Sequence, residues 1–211
     1  MNIVTHLDTQ TLSQLLRNHE YDQAKSLLLN HYNRANRNLI NKVGNSKYQS
    51  IDEINYHSST IRNWDILKEH KIGISKIKYG MWFTGCFALT IAFTYFYLTG
   101  QAGLFITLFI GGGLGLLGTL LFGWYVFFSR EVRFIFKPST FQSNYIHKAT
   151  LNWDNILTAF LYTDYGNVTD YRILIHLKNS SEPEEFNITD LAIDSQVFGL
   201  VIKKYLEKTK I

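Results

Sequence analysis

One stretch of this sequence has no charge at all. From Tyr79 to Ser129, 51 consecutive residues, there is no Lys, Arg, Asp, Glu or His. Cysteine is nearly missing as well. Cys86 is the single thiol, so no internal disulfide can form and a secreted disulfide scaffold is excluded. The start of the chain has no basic region followed by an apolar one, so no cleavable signal peptide is expected. The averages, 18% charged residues and a mean hydropathy of -0.07, resemble those of a soluble protein. They mislead, because all 21 basic and 17 acidic residues lie outside the uncharged run. An ordinary soluble core or a disordered chain does not leave so long a stretch bare.

The run is about twice the roughly 20 apolar residues that a helix needs to cross a bilayer. It breaks at Leu98-Thr-Gly-Gln-Ala-Gly103, where turn-forming residues gather. The sequence therefore predicts two transmembrane helices within 79–129, over about 79–98 and 104–128. Tyr79, Trp82, Tyr95 and Tyr97 flank the first; Trp124 and Tyr125 close the second. These are residue types that favour the headgroup level. Lys68, Lys71, Lys76 and Lys78 precede the pair and Arg130, Arg133 and Lys137 follow it, while the turn carries no cation. The positive-inside rule then places both flanks in the cytoplasm. The juxtamembrane lysines also suit anionic headgroups.

Ten of the 14 glycines fall in the run, many within Gly111-Gly-Gly-Leu-Gly-Leu-Leu-Gly118. Small residues allow close approach of helix backbones in lipid, so Gly111 and Gly115, a GxxxG pair, are expected to pack a helix. Gly112, Gly115 and Gly118 are expected to share nearly one face. The partner would be the first span or a second copy of the chain, which gives a homo-oligomer. The same residues spell a GxGxxG, but no strand precedes it and no acidic residue follows at the required distance, so it is not a dinucleotide fingerprint.

Residues 1–78 carry 11 basic and 7 acidic residues, lack proline, and read as helical. Leu12, Leu15 and Leu16 form a short stripe. Tyr21, Ala24, Leu28, Tyr32, Ala35, Leu39 and Val43 recur at helical spacing, with Gly44 as a stop. Ser50-Ile-Asp-Glu53 has the form of a capping box and predicts a third helix. His6, His19, His31, His57 and His70 have no metal-ligand spacing and are expected to face solvent or to cap. The region 1–78 is thus expected to be a cytoplasmic helical platform.

Beyond residue 130 the period changes to two. Val132 to Lys137, Phe141 to His147, Leu157 to Tyr165, Val168 to Lys178 and Glu184 to Ile188 read as strands, with turns at Pro138-Ser139 and Gly166-Asn167. A last helix is capped by Asp194 or Ser195 and buries Val197, Phe198, Val201, Ile202, Tyr205 and Leu206. The domain 130–211 has 10 positive and 10 negative charges, which argues against a nucleic-acid partner. Trp153 is expected to plug the core. Asp164, Asp170 and His176 could serve an acid-base role only if the fold gathered them, and no nucleophile motif accompanies them. Glu182, Glu184 and Glu185 read as a solvated face.

Phe134-Ile-Phe-Lys-Pro-Ser-Thr-Phe141, Leu151-Asn-Trp-Asp-Asn-Ile156 and the terminal helix together carry a resemblance. Over about residues 79 to 211 the chain resembles bacterial YcxB-like membrane proteins, in which a two-helix hairpin precedes a small pleckstrin-homology-like (PH-like) domain. The resemblance implies a membrane-tethered interaction module with no catalytic residues. Eukaryotic relatives of that fold hold phosphoinositides near the first hairpin, where Lys137 and Lys148 stand here without a basic cluster.

The expected fold class is therefore an α+β membrane protein: an N-terminal α-helical region, a transmembrane hairpin, and a C-terminal PH-like antiparallel β domain closed by a helix. The expected role is non-enzymatic, with no cofactor and no metal. The protein would lie in the bacterial inner membrane with both termini cytoplasmic, and its soluble parts would bind a protein partner. The alternative is an immunity protein that guards the membrane against an interbacterial toxin; a channel component ranks below both.

Overall fold

The computed structural model describes residues 7–40, 47–55, 59–101, 103–129, 131–144, 149–165 and 169–209. Gly44, Val43, His6, His57, Arg130, His147, Lys148 and the Gly166-Asn167 turn lie outside these residues. The fold is α+β, with two antiparallel sheets. In chain order the elements are α1 (Thr9–Arg17), α2 (Tyr21–Ile40), β1 (Lys47–Ser50), α3 (Ser59–Arg62), β2 (His70–Gly73), α4 (Lys76–Leu98) and α5 (Leu104–Phe127). Then come β3 (Val132–Phe136), β4 (Thr140–Ser143), β5 (Ala149–Asn152), β6 (Ile156–Tyr165), β7 (Thr169–Leu177), β8 (Glu184–Asn187) and α6 (Ser195–Lys208). Two compact units result. One combines the chain up to Ile72 with the chain from Arg133 on; the other is Gly73–Val132.

In the first unit the sheets have the orders β1-β6-β7-β8 and β2-β3-β4-β5. β6 and β7 form its longest ladder, with Ala159 opposite Ile175 and Leu161 opposite Ile173. Alternation sends Phe134 and Phe136 of β3, Phe141 of β4, and Ala159, Leu161, Ile173 and Ile175 of the other sheet into one core. α6 seals that core with the predicted stripe: Val197, Phe198, Val201, Ile202, Tyr205 and Leu206 are all buried. Asp194 caps α6 by accepting from the backbone N–H of Gln196 at 2.8 Å. Trp153 is the expected plug. Its ring stacks on Tyr205 at 4.6 Å between centroids, and its indole N–H donates to the Lys137 carbonyl at 2.9 Å.

The N-terminal residues depart from the sequence expectation. No helix starts at Ser50. Lys47–Ser50 instead pairs with β6, and Ile51–Glu53 makes a single 3₁₀ turn. The Ser50 hydroxyl accepts from the N–H of Asp52, so the capping chemistry is used for one turn only. Ile51 and Ile54 then enter the main core, and Ile54 lies so close to α6 that a Cβ on Gly199 would come within 2.6 Å of it.

α1 and α2 lie on the other face of the β6–β7 ladder. Leu12, Leu16, Ala24, Leu28 and Tyr32 form a second core with Phe160 of β6. This explains why β6 is apolar almost throughout: both of its faces are covered. The Asn36 side chain completes the edge of β1. Its Nδ2 donates to the Tyr48 carbonyl at 2.7 Å, and its Oδ1 accepts from the Tyr48 N–H at 2.6 Å.

Candidate functional site: an apolar hairpin with a glycine seam

α4 and α5 are both long and apolar enough to cross a membrane, at 23 and 24 residues. They are joined by a turn in which Gly100 takes φ +74°, a conformation that favours glycine. Ser75 caps α4 by accepting from the N–H of Lys78. Within α5, Thr107–Leu116 winds as a π-helix across the triple glycine.

The glycines define how the helices meet. A Cβ on Gly111 would lie 2.8 Å from the Cβ of Phe93, and one on Gly115 would lie 3.2 Å from the Cα of Thr90. On Gly118 it would lie 3.2 Å from the Cβ of Cys86, so the lone thiol serves as packing against this glycine. Any side chain at these positions would force the helices apart. Gly112 has open space beside it, so it does not share the face of Gly115 and Gly118 as its spacing suggested. The wider π turn accounts for the difference, since a 3.6-residue projection does not hold through Thr107–Leu116. Two partners were not readable from spacing. The Thr90 hydroxyl donates across the seam to the Gly111 carbonyl at 3.3 Å, and Gly123 lies against the Phe83 ring. Aromatic pairs extend the contact. Tyr79 stacks on Tyr125 at 4.9 Å and Phe83 meets Phe127 edge-on at 5.7 Å.

The basic residues near the hairpin are individually placed. Lys76 and Lys78 lie in the first turn of α4. Lys71 lies 3.2 Å from Glu69 and Lys137 lies 3.7 Å from the same carboxylate, while Lys68 pairs with Asp65 at 3.5 Å. Arg133 is half-buried in β3.

The suspected acid-base trio is not assembled as a catalytic set. Asp164 and Asp170 face each other across the β6–β7 ladder, whereas His176 sits opposite Thr158 near its other end. Burial works to raise the Asp170 pKa. Hydrogen bonds from Thr189 at 2.6 Å, Arg172 at 2.6 Å and Asn187 at 3.0 Å outweigh it and hold the carboxyl below its usual range. Arg172 also donates to Glu185 at 2.7 Å, so part of the acidic face is paired. His176 and the Tyr32 hydroxyl share a hydrogen bond of 2.9 Å whose direction follows the ring tautomer. Burial, with the charge of nearby His31 adding to it, pushes His176 down to about 4. His31 is itself buried, so it is neither a solvent-facing nor a capping residue. Among the described residues no three His, Cys, Asp or Glu side chains form a group that could hold a metal ion.

Searches against protein-family models, curated proteins and solved structures each return no match for this chain.

Proposed function

We propose that this chain is a non-enzymatic protein of the bacterial inner membrane. α4 and α5 anchor it, both flanks lie in the cytoplasm, and its α+β unit binds a protein partner. The observation that carries the reading is the surface of the hairpin. None of the α4 residues is buried, and side chains such as Phe105 and Met81 are 81% and 73% exposed. Water-soluble proteins rarely leave contiguous apolar patches beyond a few hundred Å², so lipid is the natural solvent for this surface. The cations support the orientation. Lys76 and Lys78 in the first turn of α4 oppose the helix dipole, which favours acids there, so helix stability does not account for them. Their position supports retention of this end on the cytoplasmic side.

The α+β unit supports a PH-like assignment in its two antiparallel sheets and in the helix that closes them at the C-terminal end. Two features are additions to that plan. The hairpin is inserted between neighbouring strands β2 and β3, and α1–α2 covers one sheet. Asp170, Arg172 and Glu185 are tied to one another and His176 is held in a core, which supports the non-enzymatic part of the reading.

Two measurements test the reading. Reporter fusions at both ends and at the Thr99–Gly103 turn should place the ends in the cytoplasm and the turn outside. A protein released from membranes by alkaline carbonate would overturn the anchor. Affinity capture of the detergent-solubilised chain should enrich a discrete partner, and recovery of nothing above a tag-only control would overturn the binding role.

A further inference from the structure

The C-terminal end of α1 and the loop after β7 enclose a cleft of about 620 Å³, within the range of small-molecule sites. Its lining is rich in hydrogen-bond donors. Arg17 comes from the last turn of α1 and Lys178 directly follows β7, and neither makes an ion pair with any described residue. Glu182 is the one carboxylate among the described residues of the lining, and it pairs with neither.

The floor is built rather than incidental. The Lys178 ammonium sits 5.2 Å from the centre of the Tyr21 ring, which fixes a cation that would otherwise sweep through solvent. The Tyr21 hydroxyl is held in turn by Nδ1 of His19 at 2.7 Å. His19 has φ +61°, and its N–H and that of Glu20 donate to the Leu16 and Leu15 carbonyls, closing α1 in a fixed turn. Across the cleft Asn155 donates to Oδ1 of Asn179 at 3.0 Å, which orients the Asn179 amide N–H group towards other acceptors. Among the described residues, Arg17, Lys178 and Asn179 thus offer donors with no side-chain acceptor in the cleft.

We propose that this cleft binds a small organic phosphate, with its phosphoryl group between Arg17 and Lys178. A phosphoryl group supplies several charged acceptor oxygens, which suit the guanidinium fork together with a point-charge ammonium. The remaining volume takes the organic body against Tyr21 and Leu16. The site uses none of the first-hairpin residues, and it does not depend on the proposed protein partner. The phosphoryl group can belong to a free metabolite or to a lipid headgroup.

The test uses the full chain in phosphatidylcholine nanodiscs, with the Arg17 side-chain nitrogen resonance as readout. Adenosine 5′-monophosphate and glycerol 3-phosphate should shift it saturably, while adenosine and glycerol should not. Arg17→Ala and Lys178→Ala, read by calorimetry, should each weaken binding about tenfold or more. Lys178→Arg should retain binding and Glu182→Gln should tighten it. Replacing part of the lipid with phosphatidic acid separates the sources. An Arg17 shift produced by the lipid alone identifies a headgroup, and its absence beside binding of the soluble phosphates identifies a free ligand. If neither the soluble phosphates nor phosphatidic acid moves Arg17, the proposal fails. It fails equally if the alanine variants, folded by circular dichroism, bind as the parent does.

Discussion

His176 is a basic side chain that the fold keeps neutral. Tyr32 and His31 face it from α2 and Thr158 from β6, and among the described residues no carboxylate compensates a charge there. Because its folded pKa lies near 4 against an ordinary 6.5, the unfolded chain takes up a proton first as pH falls. Stability is therefore full above about pH 6.5 and declines towards pH 4, by roughly 3 kcal/mol for this one group. Denaturation of the solubilised chain across that window should show the slope, and His176→Gln should flatten it. At the seam of the hairpin, Gly115→Leu should lower the melting temperature in detergent, at a cost of about 1–3 kcal/mol from overpacking, whereas Gly112→Leu should be nearly silent. The inward residues Phe134, Phe136 and Trp153 are legible in the sequence because period two and aromatic bulk are local signals. The pairing of Tyr32 with His176 is not, since 144 residues separate them and only the stacking of α2 on the sheet brings them together.

Elements divide along the same line. α6 can be read from its stripe and cap, and Asp194→Ala should cost about 1 kcal/mol of stability, visible as a lower denaturation midpoint with an unchanged slope. α4 and α5 are legible from the missing charges alone. β1 and β2 are not. Lys47-Tyr-Gln-Ser50 has four residues and no apolar alternation, so its strand character comes from the ladder that β6 offers. Ser50-Ile-Asp-Glu53 shows the corresponding ambiguity in capping. A serine followed by acids begins a helix or a single turn equally well, and the demand to bury Ile51 and Ile54 selects the turn. For the candidate site, the glycines were visible by composition, but their face was set by a π-helix that spacing rules do not contain. The cleft beside α1 carries no sequence motif, because its residues come from three separate segments.

At the scale of the molecule, the first unit is discontinuous in sequence. The two flanks of the hairpin contribute strands to the same sheets, and its N-terminal helices fill a face that the later strands create. Residues 1–78 and 130–211, expressed separately, should each give poorly dispersed amide spectra, and co-expression should restore a folded complex. Independent folding of 130–211 with native protection of β6 from hydrogen exchange would contradict this. Gly73 approaches the backbone of Glu131 so closely that a Cβ there would lie 2.7 Å from the Glu131 carbonyl oxygen. The two ends of the Gly73–Val132 unit therefore lie side by side. On a ribosome this imposes an order of events. α1, α2 and β1 emerge before the strands they rest upon, which are still untranslated while the apolar helices are being made. Completion of the first unit therefore waits on the hairpin, and a chain stalled within it would expose Leu12, Leu16 and Leu28 to every chaperone and protease in reach.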